Sequence, residues 1–328
     1  MATAGSRPSL LRRPWLWVPM LLVDALLVYA VTAWVLYDRV PSVAVPCRDC
    51  ATPVTVLDHQ LYLRALGADT TRPPIVVLHG GPGHSSQSFK GKLDFLGATH
   101  RVVFYDQRGS GYSSATGRRE DYTVHGLVEE LEAIRRDVLQ AERIIVLGHS
   151  FGGALAQRYA LAHPDRVERM VLVGSTPANN GMGNAVVWRW LGPGLWATVL
   201  GFPPADPGRA DRWFAEDSED SADRLFDRSR AAEVLGDSGP VRFTTWRDVL
   251  RSVAGPLDEP GLRRLQVPTL VIYGVADSPF TGQATAEAIC GLVPDCQAAR
   301  FDRSGHWPFL EEPDRFRDVM TTFLTSRR

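Results

Sequence analysis

The chain has 328 residues, of which 45% are hydrophobic and 22% are charged. These proportions are those of an ordinary globular protein, and the length suffices for one large core. The formal net charge at pH 7 is -1. The chain therefore has no basic field, which excludes binding to nucleic acid or to an acidic substrate through overall charge.

An apolar segment near the N-terminus is long enough to cross a membrane. Residues 15–36 are apolar apart from Asp24 and Thr32, and arginines precede them. As a helix the segment would extend roughly 33 Å, and its Leu and Val residues outweigh the cost of one central carboxylate. We expect a short cytoplasmic N-terminus over residues 1–14, an uncleaved single-pass transmembrane anchor over 15–36, and the remainder of the chain outside the cytoplasm.

The main alternative for this segment is a cleaved signal peptide, with Val31-Thr32-Ala33 as the cleavage site. It is less favoured because the apolar run exceeds the roughly 7–15 residues usual in signal peptides. A buried core helix is less favoured still, because no polar face repeats at helical spacing.

Four cysteines form two local pairs, Cys47 with Cys50 and Cys290 with Cys296. Such pairs suit two small disulfide loops in an oxidising compartment, although four cysteines permit three connectivities and unpaired thiols stay open. A zinc site is less favoured, because the pairs are far apart in the chain and nothing around them is typical of a ligand-bearing ribbon. We expect neither a metal nor a cofactor.

Beyond a linker over residues 37–53, strand-like and helix-like stretches alternate. The first two strands, 54–57 and 61–65, are predicted to form a hairpin around Asp58-His59-Gln60. Short, continuously apolar strands then alternate with helical patterns, which is typical of an α/β fold with a mostly parallel twisted sheet and helices on both faces. The predicted strands are Ile75–Leu78, Arg101–Tyr105, Ile144–Leu147, Met170–Val173, Thr269–Tyr273 and Gln297–Phe301, and the predicted helices are Val124–Gln140, Ala154–Ala162, Ala284–Leu292 and Pro313–Thr325.

The alternation stops between residues 177 and 262. This stretch is rich in tryptophan and in Gly-Pro breaks, and it contains an acidic, helix-like segment from Glu216 to Glu233. We predict an inserted helical lid over 177–262, above the edge of the sheet where the strands end. The core is then formed by residues 54–176 and 263–328.

One motif is typical of a held nucleophile. Gly148-His149-Ser150-Phe151-Gly152-Gly153 follows an apolar run and precedes a helix-like stretch. So tight a turn from strand to helix strains the serine and exposes its hydroxyl, and glycines two residues before and after it leave room for the crossing backbone. A plain glycine-flanked surface turn gives the same pattern, so the motif needs partners.

Three further features follow directly after predicted strands. They are the glycine-rich loop His79-Gly80-Gly81-Pro82-Gly83, Asp277 and His306. Alone, each has an ordinary explanation as a turn, a helix cap or a solvated histidine. Parallel sheets, however, bind ligands at the carboxyl ends of their strands. The chain order Ser150, Asp277, His306 is also that of one class of serine hydrolase triads, with the oxyanion loop upstream.

These residues predict nucleophilic catalysis. A serine hydroxyl is a weak nucleophile near neutral pH, so His306 would remove the proton of Ser150 during attack and return it to the leaving group. Asp277 would fix the imidazole tautomer and stabilise the imidazolium. The backbone N–H groups of Phe151 and Gly81 are the predicted oxyanion donors.

From about Thr52 to its end, the chain resembles the α/β-hydrolase superfamily. Loop 79–83 together with Asp106-Gln107-Arg108-Gly109-Ser110-Gly111-Tyr112-Ser113 is similar to the proline iminopeptidase branch. The resemblance implies an aminopeptidase without a cofactor, which removes N-terminal residues, often proline, from short peptides. It implies Ser150 as nucleophile, Asp277 as orienting acid and His306 as base, and it makes the 106–113 segment structural.

Departures from that branch leave alternatives open. Phe151 follows the nucleophile, which is the pattern of many esterase-like relatives. The peptidases commonly carry tryptophan at that position. Those peptidases bind the free amine of the substrate through acidic lid residues; the acidic residues of the run Glu216–Asp220 could supply them, although a solvated helix face is the favoured interpretation. A membrane anchor is not usual in that family. An esterase or other acyl hydrolase with the same triad is the alternative, and a non-catalytic binding protein is the remote one.

Overall fold

A seven-stranded sheet runs through the part of the chain that the structure describes. In this computed structural model those residues are 22–28, 53–116, 118–177, 211, 223–232, 238–252 and 258–326. The strands are β1 (Val54–Val56), β2 (His59–Leu61), β3 (Leu63–Leu66), β4 (Ile75–Leu78), β5 (Val102–Tyr105), β6 (Ile144–His149), β7 (Val167–Val173), β8 (Thr269–Gly274) and β9 (Cys296–Phe301).

The strand order of the main sheet is β3-β5-β4-β6-β7-β8-β9, and β1 pairs with β2 separately. Within the main sheet β3 runs antiparallel to β5, and the other neighbouring pairs are parallel. The predicted α/β fold with a mostly parallel sheet is confirmed.

Helices cover both faces of this sheet. They are α1 (Val124–Ala133), α2 (Phe151–Ala162), α3 (Phe243–Ser252), α4 (Glu259–Arg264), α5 (Gln283–Leu292), α6 (Pro308–Glu311) and α7 (Pro313–Thr325). Shorter 3-10 turns lie at Ser86–Phe89, Asp94–Ala98, Arg119–Asp121, Pro164–Arg166 and Arg228–Arg230, and a π turn lies at Ile134–Val138.

Two apolar layers enclose the sheet, because successive side chains of a strand point to opposite faces. On β4, Val76 and Leu78 pack in one layer with α1, α2 and α5, whereas Ile75 and Val77 pack in the other with α7. Every residue of β4, β5, β6 and β8 is buried. Burial on both faces explains why these strands are continuous apolar runs in the sequence.

The strand register brings the carboxyl ends of the strands together. Leu78, the last residue of β4, is opposite Gly148 of β6, and His149 is opposite Val173 of β7. Val173 is the last residue of β7, and Gly274 ends the next strand, β8. The loops after β4, β6, β8 and β9 therefore leave the sheet at one edge, called the carboxyl edge below, where all the predicted site residues lie.

The hairpin at the start of the fold differs from the prediction. β1 and β2 are joined by Leu57 and Asp58, which have positive φ values of 46° and 64°. Because leucine is not typical of that conformation, the turn predicted at Asp58-His59-Gln60 is wrong. The predicted second strand is also divided: its first part pairs with β1, and its second part, β3, joins the main sheet beside β5.

Two predicted helices also differ. The stretch predicted as one helix over Val124–Gln140 is α-helical only to Ala133 and continues as a π turn. The acidic segment predicted to be helix-like from Glu216 to Glu233 is described only over 223–232, where 3-10 turns and bends extend to residue 230 and helix begins at residues 231–232. Asp227 explains the break, because its carboxylate accepts hydrogen bonds from Ser229 N and Ser229 Oγ and so competes with helical bonding.

Several predicted segments lie wholly or mostly outside the described residues. Residues 22–28 of the predicted anchor are described, and they are helical and exposed. Among the described residues, no helix has the length and apolar character needed to cross a membrane. Most of the predicted lid, residues 1–14, the linker apart from Pro53, and Cys47 with Cys50 are likewise outside the described part, and the lid stays a prediction.

The second cysteine pair is described. Cys290 in α5 and Cys296 at the start of β9 form a disulfide across a sequence separation of 6. This is one of the pairings that their spacing left open.

Candidate active site

The turn after β6 holds Ser150 in a strained conformation. Its φ and ψ are 56° and -120°, outside the regions that residues with a side chain normally adopt. Ser150 N donates to Val173 O at 3.0 Å, which ties the turn to the neighbouring strand. Helix α2 begins at the next residue, Phe151, so the polypeptide changes from strand to helix within one residue.

The two glycines around Ser150 are required by close backbone contacts. A Cβ atom on Gly148 would lie 2.2 Å from Gly152 O, and a Cβ atom on Gly152 would lie 2.2 Å from Leu78 O. Real Cβ atoms do not approach backbone that closely. The prediction that only glycine fits two residues before and two residues after the serine is confirmed.

The glycine-rich loop 79–83 lies directly against Ser150. A Cβ atom on Gly80 would lie 2.8 Å from Ser150 Cβ. The backbone N–H of Phe151, as the first residue of α2, has no acceptor within the helix. Both predicted oxyanion donors, Phe151 N–H and Gly81 N–H, therefore belong to the two segments that meet at Ser150.

His79 braces this loop, as its ordinary interpretation predicts. His79 Nδ1 donates to Gly80 O at 3.0 Å, and His79 Nε2 accepts from Gln107 N at 3.0 Å. Burial lowers the pKa of His79 to about 4. The imidazole is therefore neutral near neutral pH, and both of its nitrogens are used in structural bonds.

Asp277 and His306 form a buried pair at the same edge. His306 Nδ1 is 2.8 Å from Asp277 Oδ2, and the two side chains are 3% and 0% exposed. Asp277 Oδ1 also accepts from Ser278 N at 2.7 Å and Thr281 Oγ1 at 2.8 Å. Burial alone would raise the pKa of Asp277, but these bonds and the charges beside it hold that pKa well below its usual range.

His149 connects the serine turn to the histidine loop. His149 Nε2 donates to His306 O at 2.9 Å, and the two imidazole rings lie 4.6 Å apart between centroids. Burial holds the pKa of His149 well below 6.5, so its ring is neutral. Because His149 precedes Ser150 in the chain, this bond ties the turn of Ser150 to the loop of His306; no hydrogen bond joins Ser150 Oγ to His306 within the described residues.

Arg224 is a contact of the acid–base pair that the sequence did not predict. Its Nη2 atom lies 2.7 Å from His306 Nδ1, 3.2 Å from Asp277 Oδ1 and 2.9 Å from Thr281 Oγ1. Burial and this guanidinium lower the pKa of His306, against the opposing effect of Asp277. No motif marks Arg224, which precedes Asp277 by 53 residues.

The segment 106–113 has the structural role that the resemblance implied. Asp106 is fully buried, and its carboxylate accepts from Ser86 N at 2.6 Å and from Tyr112 N at 2.8 Å. It also accepts from Ser85 Oγ at 3.1 Å. Asp106 therefore fastens the chain that follows the glycine-rich loop to the 106–113 segment.

Arg242, next to helix α3, also contacts this loop. Arg242 N donates to Gly83 O at 2.7 Å. Its buried guanidinium donates to Gly111 O at 3.3 Å and pairs with Asp211 at 3.3 Å. Arg242, the residue directly before α3, thus bonds to both the glycine-rich loop and the 106–113 segment.

One candidate element of the site lies outside the described residues. The acidic residues Glu216, Asp217, Glu219 and Asp220, considered for binding a free amine, lie outside them. Within the described ranges, no cluster of three His, Cys, Asp or Glu residues could hold a metal ion.

Comparisons with known proteins agree with the fold. Residues 73–313 match the model of the α/β-hydrolase fold family. The chain is 27% identical over 285 residues to a proline iminopeptidase of Saccharolobus solfataricus, with 80% of this chain and 88% of the relative covered. It is 26% identical over 264 residues to a 2-hydroxy-6-oxo-2,4-heptadienoate hydrolase of Pseudomonas putida, with 77% and 89% covered.

Among solved structures, the enol-lactonase of Burkholderia xenovorans superposes with a TM-score of 0.66 at 20% identity. The superposition covers 84% of this chain and all of that one. At this identity the likeness shows the fold alone.

Proposed function

Because this chain belongs to the α/β-hydrolase superfamily, in its proline iminopeptidase-like branch, we propose that it is a serine hydrolase acting through Ser150, His306 and Asp277. The observation that carries the proposal is the buried Asp277–His306 pair, fastened through His149 to the strained turn that presents Ser150. A strained serine beside an oriented imidazole is the arrangement that nucleophilic catalysis requires.

The geometry supports the following reaction. Ser150 Oγ attacks the carbonyl carbon of the substrate while His306 Nε2 takes the hydroxyl proton. The carbonyl oxygen becomes an oxyanion that accepts from Phe151 N–H and Gly81 N–H. The imidazolium then protonates the leaving group as its bond to the carbonyl carbon breaks, and water removes the acyl group from Ser150 by the same steps.

We assign the substrate to short peptides with a removable N-terminal residue, proline among them. Support comes from the curated proline iminopeptidases that cover most of this chain and from the glycine-rich loop with its 106–113 partner. The second candidate is an ester or another small acyl compound. Phe151 favours it, since this residue stands where the peptidases commonly carry tryptophan.

Turnover of a chromogenic prolyl amide and of a p-nitrophenyl ester, by the full-length chain in detergent, separates the two candidates. Release of proline with Ser150→Ala inactive supports the peptidase. An enzyme inert to the prolyl amide and fast on the ester overturns it in favour of the second candidate. If wild-type protein turns over neither substrate and is not labelled by a fluorophosphonate, the hydrolase proposal fails and a binding protein replaces it.

We also propose that residues 15–36 anchor the chain in a membrane with the hydrolase region outside the cytoplasm. The apolar sequence of that segment and the Cys290–Cys296 disulfide, a bond favoured in oxidising compartments, support this location. Extraction of native membranes with alkaline carbonate tests the anchor, and protease digestion of right-side-out membrane vesicles tests the side. Release by carbonate, or protection of the hydrolase region from external protease, would contradict the proposal.

A further inference from the structure

The segment that carries Arg224 is fixed against the loop that carries His306. His306 N donates to Arg224 O at 2.8 Å. A Cβ atom on Gly305 would lie 1.8 Å from the same carbonyl oxygen, so the two backbones are in direct contact. Arg224 therefore reaches the acid–base pair from an anchored position, with its side chain 34% exposed.

Arg224 and Asp277 compete for one nitrogen of His306. His306 Nδ1 is 2.8 Å from Asp277 Oδ2 and 2.7 Å from Arg224 Nη2. If Nδ1 carries a proton, it can donate that proton to Asp277. Nδ1 then has no free lone pair that could accept a hydrogen bond from the guanidinium. If Nδ1 accepts from Arg224, the neutral ring carries its proton on Nε2 and cannot accept the proton of Ser150.

The other titratable groups that face His306 do not alter this competition for Nδ1. His149 faces His306 from the end of β6, and His84 faces it from directly after the glycine-rich loop. Burial holds the pKa of His149 well below 6.5 and lowers the pKa of His84 to about 4, so both rings are neutral near neutral pH. From α6, Glu311 Oε2 accepts from Gly305 N at 2.6 Å. Among the described residues, Asp277 and Arg224 are thus the charged groups that contact the His306 ring.

The geometry points to Arg224 as a positioning residue that restrains the base of this site through His306 and Asp277. It competes for Nδ1 and repels the imidazolium that forms during attack, so removal of its charge speeds acylation and moves the acidic limb of the rate profile to higher pH. This inference rests on the proposed serine hydrolase function.

The test compares kcat and KM of three variants from about pH 4 to about pH 9 on whichever chromogenic substrate the enzyme turns over. In Arg224→Gln we expect the acidic limb to rise by about 1 pH unit. We expect kcat to increase about 3- to 10-fold, with KM little changed. Arg224→Lys keeps the charge and should stay closer to the wild-type profile. The matched control is Arg228→Gln, since Arg228 lies on the same segment, is 67% exposed and pairs with Asp223; its profile should superimpose on the wild type.

An unchanged or lowered acidic limb in Arg224→Gln would overturn the inference, as would the same shift in Arg228→Gln. A second measurement needs no turnover: titration of the His306 ring by NMR in the full-length Ser150→Ala protein, with and without Arg224→Gln. A rise of about 1 unit in the pKa of His306 supports the inference, and no rise overturns it. If Arg224→Gln does not fold, the same titration of Arg224→Ala in place of the glutamine variant decides. Failure of the hydrolase proposal would show separately, as absent turnover and absent fluorophosphonate labelling of the wild type.

Discussion

At the carboxyl edge of the sheet the side chains of Asp277 and His306 are buried and share bonds, whereas an ion pair at the opposite edge, where β4, β5 and β6 begin, is half-exposed. Asp277 and His306 are 0% and 3% exposed, while Arg72 and Asp69 at the amino edge are 51% and 34% exposed and 3.7 Å apart. A cleft of about 440 Å³ opens at the amino edge, lined by residues 69–74, 101 and 139–143.

The difference teaches that polar residue types alone do not make a site. Desolvation at the carboxyl edge lowers the pKa values of His79, His149 and His306, because burial penalises the charged imidazolium. Ion pairs at the amino edge are screened by solvent and contribute little. The volume of the cleft at the amino edge therefore does not indicate a catalytic site.

The largest expected difference between the edges is in the effect on kcat/KM of removing one hydroxyl group. Ser150→Ala should lower kcat/KM by at least about 10⁴-fold, because it removes the proposed nucleophile. Thr71→Ala, which removes an exposed hydroxyl at the amino edge bonded to Asp69, should leave kcat/KM unchanged. Initial rates on one chromogenic substrate measure both. Comparable losses in the two variants would contradict the distinction between the edges.

Carboxylates should show the next contrast. Asp277→Asn should lower kcat by about 10³- to 10⁴-fold, because an amide can donate to Nδ1 and so favour the wrong tautomer of His306. The control is Asp69→Asn at the amino edge, which should keep wild-type kcat. Steady-state kinetics, with circular dichroism to verify folding, measure both. A loss below about 10-fold in Asp277→Asn would remove Asp277 from its assigned role.

Buried histidines at the carboxyl edge should make the fold sensitive to acid. The pKa of His79 is about 4 in the folded protein and 6.5 in the reference state, so the unfolded chain binds more protons between these values. The free energy of unfolding should therefore fall as pH decreases from about 6.5 to about 4, with His79 contributing about 3 kcal/mol of the loss.

Urea unfolding at several pH values measures this effect. His79→Gln should be less stable at pH 7 and should lose less stability on acidification, because it removes one group that must take up a proton on unfolding. Equal pH slopes for the variant and the wild type would contradict this account of His79.

The smallest expected difference between the edges is in the stability change caused by replacing one glycine with alanine. Gly152→Ala at the carboxyl edge should destabilise the protein by about 1–3 kcal/mol, because the added Cβ meets backbone. Gly291→Ala, in α5 near the amino edge, meets no atom within 4 Å and should stabilise it by about 0.5–1 kcal/mol, because alanine favours the helix. Thermal melts of both variants measure the difference, and two shifts of the same sign would contradict it.

Sequence patterns predicted most of the sheet because its strands are buried on both faces. Ile75–Leu78 and Pro313–Thr325 have the predicted bounds. Periodicity could not give the turn at Leu57 and Asp58, since no local signal marks a leucine with positive φ. Nor could it give the broken helix around Asp227, where a side chain competes with the backbone for hydrogen bonds.

Within the site, the contrast between Asp277 and Arg224 shows what a sequence can reveal. Asp277 directly follows a buried strand, so its position along the sheet edge was predictable from strand order. Arg224 comes from a segment without apolar periodicity and reaches His306 across 82 residues of chain. Only the packed structure places that guanidinium beside the imidazole.

The bonds of Arg242 bear on how this protein could be recombined with its relatives. Arg242 bonds to both Gly83 O and Gly111 O. A chimaera that exchanges all of residues 177–262 would therefore replace these contacts of the glycine-rich loop with those of the relative. A graft that takes the residues between Thr176 and Gly239 but keeps Asp211, and leaves Arg242 with its helix in place, keeps these contacts native. Exchange of specificity between relatives would then be separable from damage to the proposed oxyanion donors.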